Sequence, residues 1–456
     1  MLRIEGNALK NRSFKHRLIS LGVLILVSGC GSQEDKRTEL TFWAMGNEGE
    51  NVKGLLKEFE HRHPNLRVKL QQIPWSAAHE KLLTAFAGDA MPDLFQLGNT
   101  WVSEFVAMHA IEPLDGRLNT SPTLTREDFF AGMPTSQDIH GIPWYVDTRV
   151  MFYRKDILAQ AGYAEPPHTW AESLEMMEAI KQLPGKDHYA LFLPMNEWQM
   201  PIILGLQFNA GLLRDKSRFG DFSNDSFRRA FSLYVEFFRQ NYAPAVANAQ
   251  ITNLYQEFAN GYFAIYITGP WNLGKFHEKM PKSLQGQWMT APLPSPDDNY
   301  PGLSLAGGAS LAISSHSTHP ADAWKLIEFL TDPSQQVALY LCSGNLPSRK
   351  SAWKLHFEPI IRWLNAEKIC GNDANVIARS SVDLASDEKA VAFFKQLAKV
   401  SPLPMIPEWE RIADKVAQYT EKAVRGEMSE ADALQALDYD VDQILEKRRW
   451  LLERRK

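Results

Sequence analysis

The sequence predicts an α/β protein of more than one domain, with parallel, doubly wound pairing at its start. Three observations predict it. The 456 residues exceed what one compact hydrophobic core organises. Apolar periodicity switches between 2 and 3.6 within the sixty residues after Glu39, the rhythm of strands alternating with helices. Past residue 140 the rhythm changes to long β-like runs separated by a helix-rich stretch, which marks a second unit.

The elements follow in order. "ELTFWAM" (39–45) is β-rich, and in "NVKGLLKEFEHRHP" Val52, Leu55, Leu56 and Phe59 fall at i, i+3, i+4 and i+7, ending before Pro64; this is an amphipathic helix. "LRVKLQQI" (66–73) alternates, a helix over 77–87 ends in Gly88-Asp89, and "DLFQL" is a third strand. "GIPWYVDTRVMFYRKDIL" (141–158) reads as one long β run entering a helix, and 170–260 is helix-rich, with "SFRRAFSLYVEFFRQN" its clearest case. "GYFAIYIT" is a strand that stops at Gly269-Pro270 and presents Trp271 on a loop tip; "GGASLAISSHSTHPADAWKLIEFLTDP" is strand, turn and helix; the tail from Glu408 is helical.

The N-terminus sets the compartment. Arg3, Lys10, Arg12, Lys15 and Arg17 precede the apolar run Leu18–Val27, too short for a membrane span and suited to a signal-peptide core. Val27-Ser28-Gly29-Cys30 resembles a bacterial lipobox. The expectation is a lipoprotein signal peptide over 1–29, lipid on Cys30, a polar tether over 30–37, and a protein anchored in the periplasm or at the cell surface. Removing 1–29 takes five of 49 Lys/Arg and one of 54 Asp/Glu, leaving a formal charge of −9. An acidic surface argues against nucleic acid as a partner. Cys342 and Cys370 then face an oxidising compartment, either paired or as two buried thiols.

The chemical inventory excludes more than it offers. No HExxH, Walker loop or GxGxxG occurs. His61-x-His63 places its rings on different helical faces, and "GLSLAG" (302–307) lacks the spacing of a nucleophile elbow. No metal, cofactor or catalytic constellation is expected. Instead, aromatics stand beside turn residues: Trp75, Trp101, Trp144-Tyr145, Trp198, Trp271 and Trp409, accompanied by Glu48, Asn99, Asp147 and Glu197. Sugars need this mixture, a flat apolar face for the C–H side of the ring and charged or amide groups for vicinal hydroxyls.

Several ordered stretches carry a resemblance. "LTFWAMGNEGE", "MPDLFQLGNTWVSEF", "GIPWYVDTRVMFYRKDIL", "TGPWNLG", "GGASLAIS" and "GNLPSR" resemble the solute-binding proteins of bacterial ABC sugar importers, over a span from about Glu39 to the end. The resemblance implies two periplasmic-binding-protein lobes of type II, each a mostly parallel sheet flanked by helices: 38–146 with 302–348, and 147–301 with 349–456. It implies a monomer that closes about a hinge on a di- or oligosaccharide and docks on the importer's membrane permease. Carried over by position, it implies sugar contacts from Glu48, Asn99, Thr100, Tyr145, Asp147, Glu197, Trp198, Gly308 and Arg349, a stacking platform at Trp271, and Trp409 closing the far end. Asn99 stands where the family commonly has Asp. Two other readings stay open: a binding lipoprotein for sensing or for a non-sugar solute such as glycerol phosphate or a peptide, and a glycoside hydrolase using Asp147 and Glu197 as its acid and base.

Overall fold

The computed structural model describes residues 37–130, 138–185, 188–247, 250–367, 369–370 and 383–454; the signal peptide, the lipobox and all of the tether but Arg37 lie outside them. Two sheets organise the chain. Their strands are β1 (Thr38–Met45), β2 (Leu66–Ile73), β3 (Leu94–Gly98), β4 (Ile142–Asp147), β5 (Val150–Arg154), β6 (Tyr189–Phe192), β7 (Phe263–Thr268), β8 (Trp288–Ala291), β9 (Gly307–Ile313) and β10 (Leu346–Pro347). The first sheet runs β10-β4-β9-β3-β1-β2 and the second β8-β5-β7-β6.

The opening strand–helix alternation forms as its periodicity predicts, with β1 paired in parallel to both β2 and β3. Both sheets are nevertheless mixed. β9 lies antiparallel to β3 and β4, and β5 antiparallel to β7 and β8, so within these two sheets the parallel pairs are β1–β2, β1–β3 and β6–β7. A strand inserted between two others by chain returning from the opposite sheet is not bound by the βαβ crossover that keeps sequential strands parallel.

The long run 141–158 is not one strand. It splits at Thr148-Arg149, with β4 in the first sheet and β5 in the second. Both halves are buried on both faces, so the apolar pattern continues across a break that only the two partner sheets define. Asp147 and Arg149 thereby sit where the chain passes between the sheets.

Trp271 is not on a loop tip. It is the first residue of the helix Trp271–Lys279, with Pro270 at its N-cap. The same holds for Trp75, first in Trp75–Ala87 after Pro74, for Trp409, first in Trp409–Val424, and for Trp198, N-cap of Gln199–Gln207. The turn-forming residues before these tryptophans are helix starts, where a fixed proline φ is already helical or flanks the cap. Helices elsewhere follow their patterns: in Asp225–Arg239, Phe227, Ala230, Phe231, Tyr234 and Phe238 are buried and the Asn224 side chain accepts from the Phe227 amide.

Cys342 and Cys370 are disulfide-bonded, with Cα atoms 5.2 Å apart. The bond ties the end of the helix Pro333–Ser343 to residues beside Gly54, whose Cα faces Ile369 with no room for a side chain.

Candidate functional site

A cleft of about 560 Å³ opens between the ends of the strands of the two sheets. Nine of the eleven residues expected at the site line it: Glu48, Asn99, Thr100, Tyr145, Asp147, Glu197, Trp198, Trp271 and Gly308. Arg349 and Trp409 do not.

Glu48 enters from the short helix Gly46–Asn51 directly after β1 and is held by a directed relay. The Met45 amide donates to Gln96 Oε1 (2.7 Å), and Gln96 Nε2 donates to Tyr145 Oη (3.0 Å). The Tyr145 hydroxyl is left to donate to Glu48. Asn345 Nδ2 donates to Glu48 Oε1 at 3.0 Å, and Trp75 Nε1 to Oε2 at 3.4 Å. Each donor in this relay is fixed by the one before it, so Glu48 is presented as an acceptor. Burial pushes its carboxyl up, opposed by its own backbone amide, Asn345, Tyr145 and Trp75. Burial and the charges of Glu48 and Asp147 raise the Tyr145 phenol well above its ordinary value, keeping it a donor.

Asp147, at the end of β4, and Arg149, just beyond it, meet at 3.4 Å. The Arg149 guanidinium lies 4.6 Å from the centre of the Trp271 ring, a cation over an aromatic face. Burial raises the carboxyls of Asp147 and Glu197, and Arg149 opposes it in both. Glycines make the room. A Cβ on Gly269 would lie 2.0 Å from the Trp271 ring, and one on Gly307 2.1 Å from Asp147 Oδ1. Trp75 and Trp101 pack on glycine in the same way, against Gly46 and Gly98. Backbone without side chains lets indoles lie flat against strand ends.

Asn99, the departure from the family's usual Asp, has Oδ1 accepting from Ser310 Oγ at 2.8 Å while Nδ2 reaches Gly307 O at 3.4 Å. The Thr100 hydroxyl donates to Glu410 Oε1 at 2.6 Å. That contact was not anticipated from sequence; nor were Arg149, Asn345 and Tyr266, which also line the cleft. Arg149 follows Asp147 by two residues and was within reach of a reading of charge beside carboxylate. Glu410 lies 310 residues from Thr100, and no local pattern links them.

Arg349 corrects the expectation of a ligand-binding guanidinium. It is 6% exposed, with Nε 2.7 Å from Asp128 Oδ2 and Nη1 and Nη2 donating to the carbonyls of Thr331 and Thr123. Its donors are taken up inside the protein, by Asp128 of the 3-10 helix Arg126–Asp128 and by two backbone carbonyls. Arg349→Met is expected to lower unfolding free energy by about 1–3 kcal/mol, the cost of taking the guanidinium donors away from two backbone carbonyls and from the half-buried Asp128, which keeps its bonds from the Ser351 amide and hydroxyl, measured by denaturant titration; no measurable loss would contradict it. Trp409 is likewise core, fully buried and edge-on to Trp198 at 6.0 Å. It supports the cleft wall from behind. Trp144 is also fully buried; Trp75, Trp101, Trp198 and Trp271 reach the cleft.

Among the described residues no helix is long and apolar enough to cross a membrane, and no cluster of three or more His, Cys, Asp or Glu is placed to hold a metal ion.

Known proteins are similar to this chain in fold or in sequence. The structure of the sugar-binding protein MalE from Xanthomonas citri is 42% identical, with a TM-score of 0.79, over 91% of this chain and 99% of its own. The galactooligosaccharide-binding protein of Bacillus subtilis is 22% identical over 92% of this chain and 94% of its own length. The arabinooligosaccharide-binding protein of the same organism is 24% identical, over 74% and 78%. The family model "Bacterial extracellular solute-binding protein" matches residues 45–337. With its two α/β lobes and the cleft between their sheets, the chain belongs to the bacterial extracellular solute-binding proteins, the non-enzymatic solute-binding components of ABC transporters.

Proposed function

We propose that the protein captures a di- or oligosaccharide in the cleft and delivers it to the permease of an ABC importer, anchored through lipid on Cys30 in the periplasm or at the cell surface. The observation that carries this reading is the combination around Trp271, an aromatic face bordered by Asp147, Glu197 and Arg149 within one cleft. A pyranose ring stacks its C–H side on the indole face that Arg149 covers, displacing the guanidinium, while its hydroxyls donate to the carboxylates. The sugar-binding name of the Xanthomonas citri protein, at 42% identity, supports the same ligand class. In this reading the lobes are 38–146 with 302–348 and 147–301 with 349–456, except that residues 349–354, bonded to Thr123, Glu127, Asp128, Thr331 and Pro347, and the helix Phe357–Ala366 and Ile369, packed on the helices Pro333–Ser343 and Lys53–Arg62, go with the first lobe.

An anionic solute such as glycerol phosphate fits less well. Among the described residues lining the cleft, Glu48, Asp147, Glu197 and Glu410 face a single guanidinium, Arg149. A phosphate would meet net negative charge at short range in a partly desolvated site.

The test is intrinsic tryptophan fluorescence titrated with mono- and oligosaccharides. Saturable quenching or a spectral shift at micromolar sugar is expected. No response to any sugar, with thermal stabilisation by a non-sugar solute, would overturn the reading.

The carboxyls also set a pH dependence. Glu48, Asp147 and Glu197 all have folded-state values raised by burial, so they take up protons in a window above that of exposed carboxylates. Sugar affinity is expected to fall as pH falls through that window, because a charge-assisted acceptor becomes a neutral acid. Raised folded-state values mean the folded protein binds more protons than the unfolded chain, so these groups favour the fold as pH falls. Affinity should therefore decline without unfolding, measured by titration calorimetry alongside circular dichroism; pH-independent affinity would contradict it.

A further inference from the structure

The helix Trp409–Val424 belongs to the second-sheet side. Trp409, Ile412 and Val416 share a core with Ile265 and Ile267 of β7, and the helix packs on the helices Asp225–Arg239 and Glu430–Ile444. Its second residue faces the other way. Glu410 Oε1 accepts from the hydroxyl of Thr100 at 2.6 Å, and Thr100 stands in the turn directly after β3 of the first sheet. Trp101 also hydrogen-bonds Glu410, and His79, itself 2.7 Å from Glu104, faces it electrostatically. One carboxylate thus joins the cores of both sheets, beside the residue (Trp409) that supports the cleft wall under Trp198.

We propose that Glu410 is a closure residue: its bond to Thr100 clasps the two lobes together and sets affinity through the open–closed equilibrium rather than by touching the ligand. The proposal rests on the two-lobe capture reading. It has a distinctive signature. Where only the closed state binds well, apparent affinity is the intrinsic affinity scaled by the closed fraction. Weakening a clasp therefore lowers affinity for every ligand by one common factor, whereas deleting a ligand contact changes affinity according to what each ligand places there.

The experiment compares wild type, Thr100→Val and Thr100→Ser with maltose, trehalose, cellobiose and maltotriose by titration calorimetry, and measures each protein's radius of gyration without sugar by small-angle scattering. Thr100→Val keeps the side-chain shape and removes the donor; Thr100→Ser keeps the donor. For every sugar that binds wild type, Thr100→Val is expected to weaken binding by the same factor, about tenfold for one hydrogen bond to a charged group. It should also enlarge the radius of gyration, and Thr100→Ser should restore both. Factors that differ strongly between sugars would overturn the clasp and make Thr100 or Glu410 a ligand contact. Unchanged affinities and scattering would overturn it as an incidental contact. Should none of the four sugars bind wild type, the proposed ligand class fails separately and the scattering decides: an enlarged Thr100→Val upholds the clasp, an unchanged one overturns it.

Discussion

Trp271→Ala is expected to weaken sugar binding by about 2–3 kcal/mol, roughly 30- to 150-fold in Kd. The substitution removes the aromatic face that Gly269 makes room for and that Arg149 stacks against. It also frees the guanidinium from its cation–π seat, so Arg149 is left to pair more closely with Asp147, 3.4 Å away. That competes with sugar hydroxyls for the same carboxylate and adds to the loss. Trp271→Phe keeps a smaller ring and should recover part of the affinity. Titration calorimetry against any sugar that binds wild type decides it. Unchanged affinity in Trp271→Ala would reduce Trp271 to a filler of the seam between the sheets.

Gly308→Ala is expected to cost about 2–4 kcal/mol of stability and to disable the cleft. Gly308 has φ +123°, and a Cβ there would lie 2.3 Å from the carbonyl oxygen of Tyr145. Both the backbone conformation and the space exclude a side chain. The neighbour that must yield is the backbone of β4, paired to β9 through Gly308↔Val146 and Gly307↔Asp147. Any relief of the clash therefore displaces Tyr145 and Asp147, the two groups β4 delivers to the cleft. Gly116→Ala, with nothing within 4 Å of the added carbon, is the matched control and should cost nothing. Denaturant titration of both variants is the measurement; equal stability would contradict the argument.

How far the sequence disclosed this molecule depended on whether the deciding interaction was local. The amphipathic helix through Leu55, Leu56 and Phe59 was legible because one face is buried and one is wet. The break between β4 and β5 was not, since a run buried on both faces carries no periodic mark of which sheet it serves. Tryptophans beside turn residues pointed to loop tips, whereas Trp75, Trp198, Trp271 and Trp409 stand at helix starts. They did not separate Trp271, at the cleft, from Trp144 and Trp409, in the core, because that choice depends on what the opposite sheet supplies. Arg349 fits the family's sequence pattern, yet Asp128 holds it internally. The pairing of Cys342 with Cys370 depends on the fold bringing the end of the helix Pro333–Ser343 beside residue 370, which no local pattern marks. The Thr100–Glu410 contact was invisible for the same reason in its strongest form, two ordinary surface-type residues brought together only by the fold.

The most direct test of the central claim is a crystal structure of the protein with a sugar that binds it. The account predicts one pyranose ring stacked on Trp271 with its hydroxyls donating to Asp147 and Glu197, and the Thr100–Glu410 bond intact across the cleft. A sugar seated away from Trp271, or a cleft that holds a different solute in its place, would contradict it.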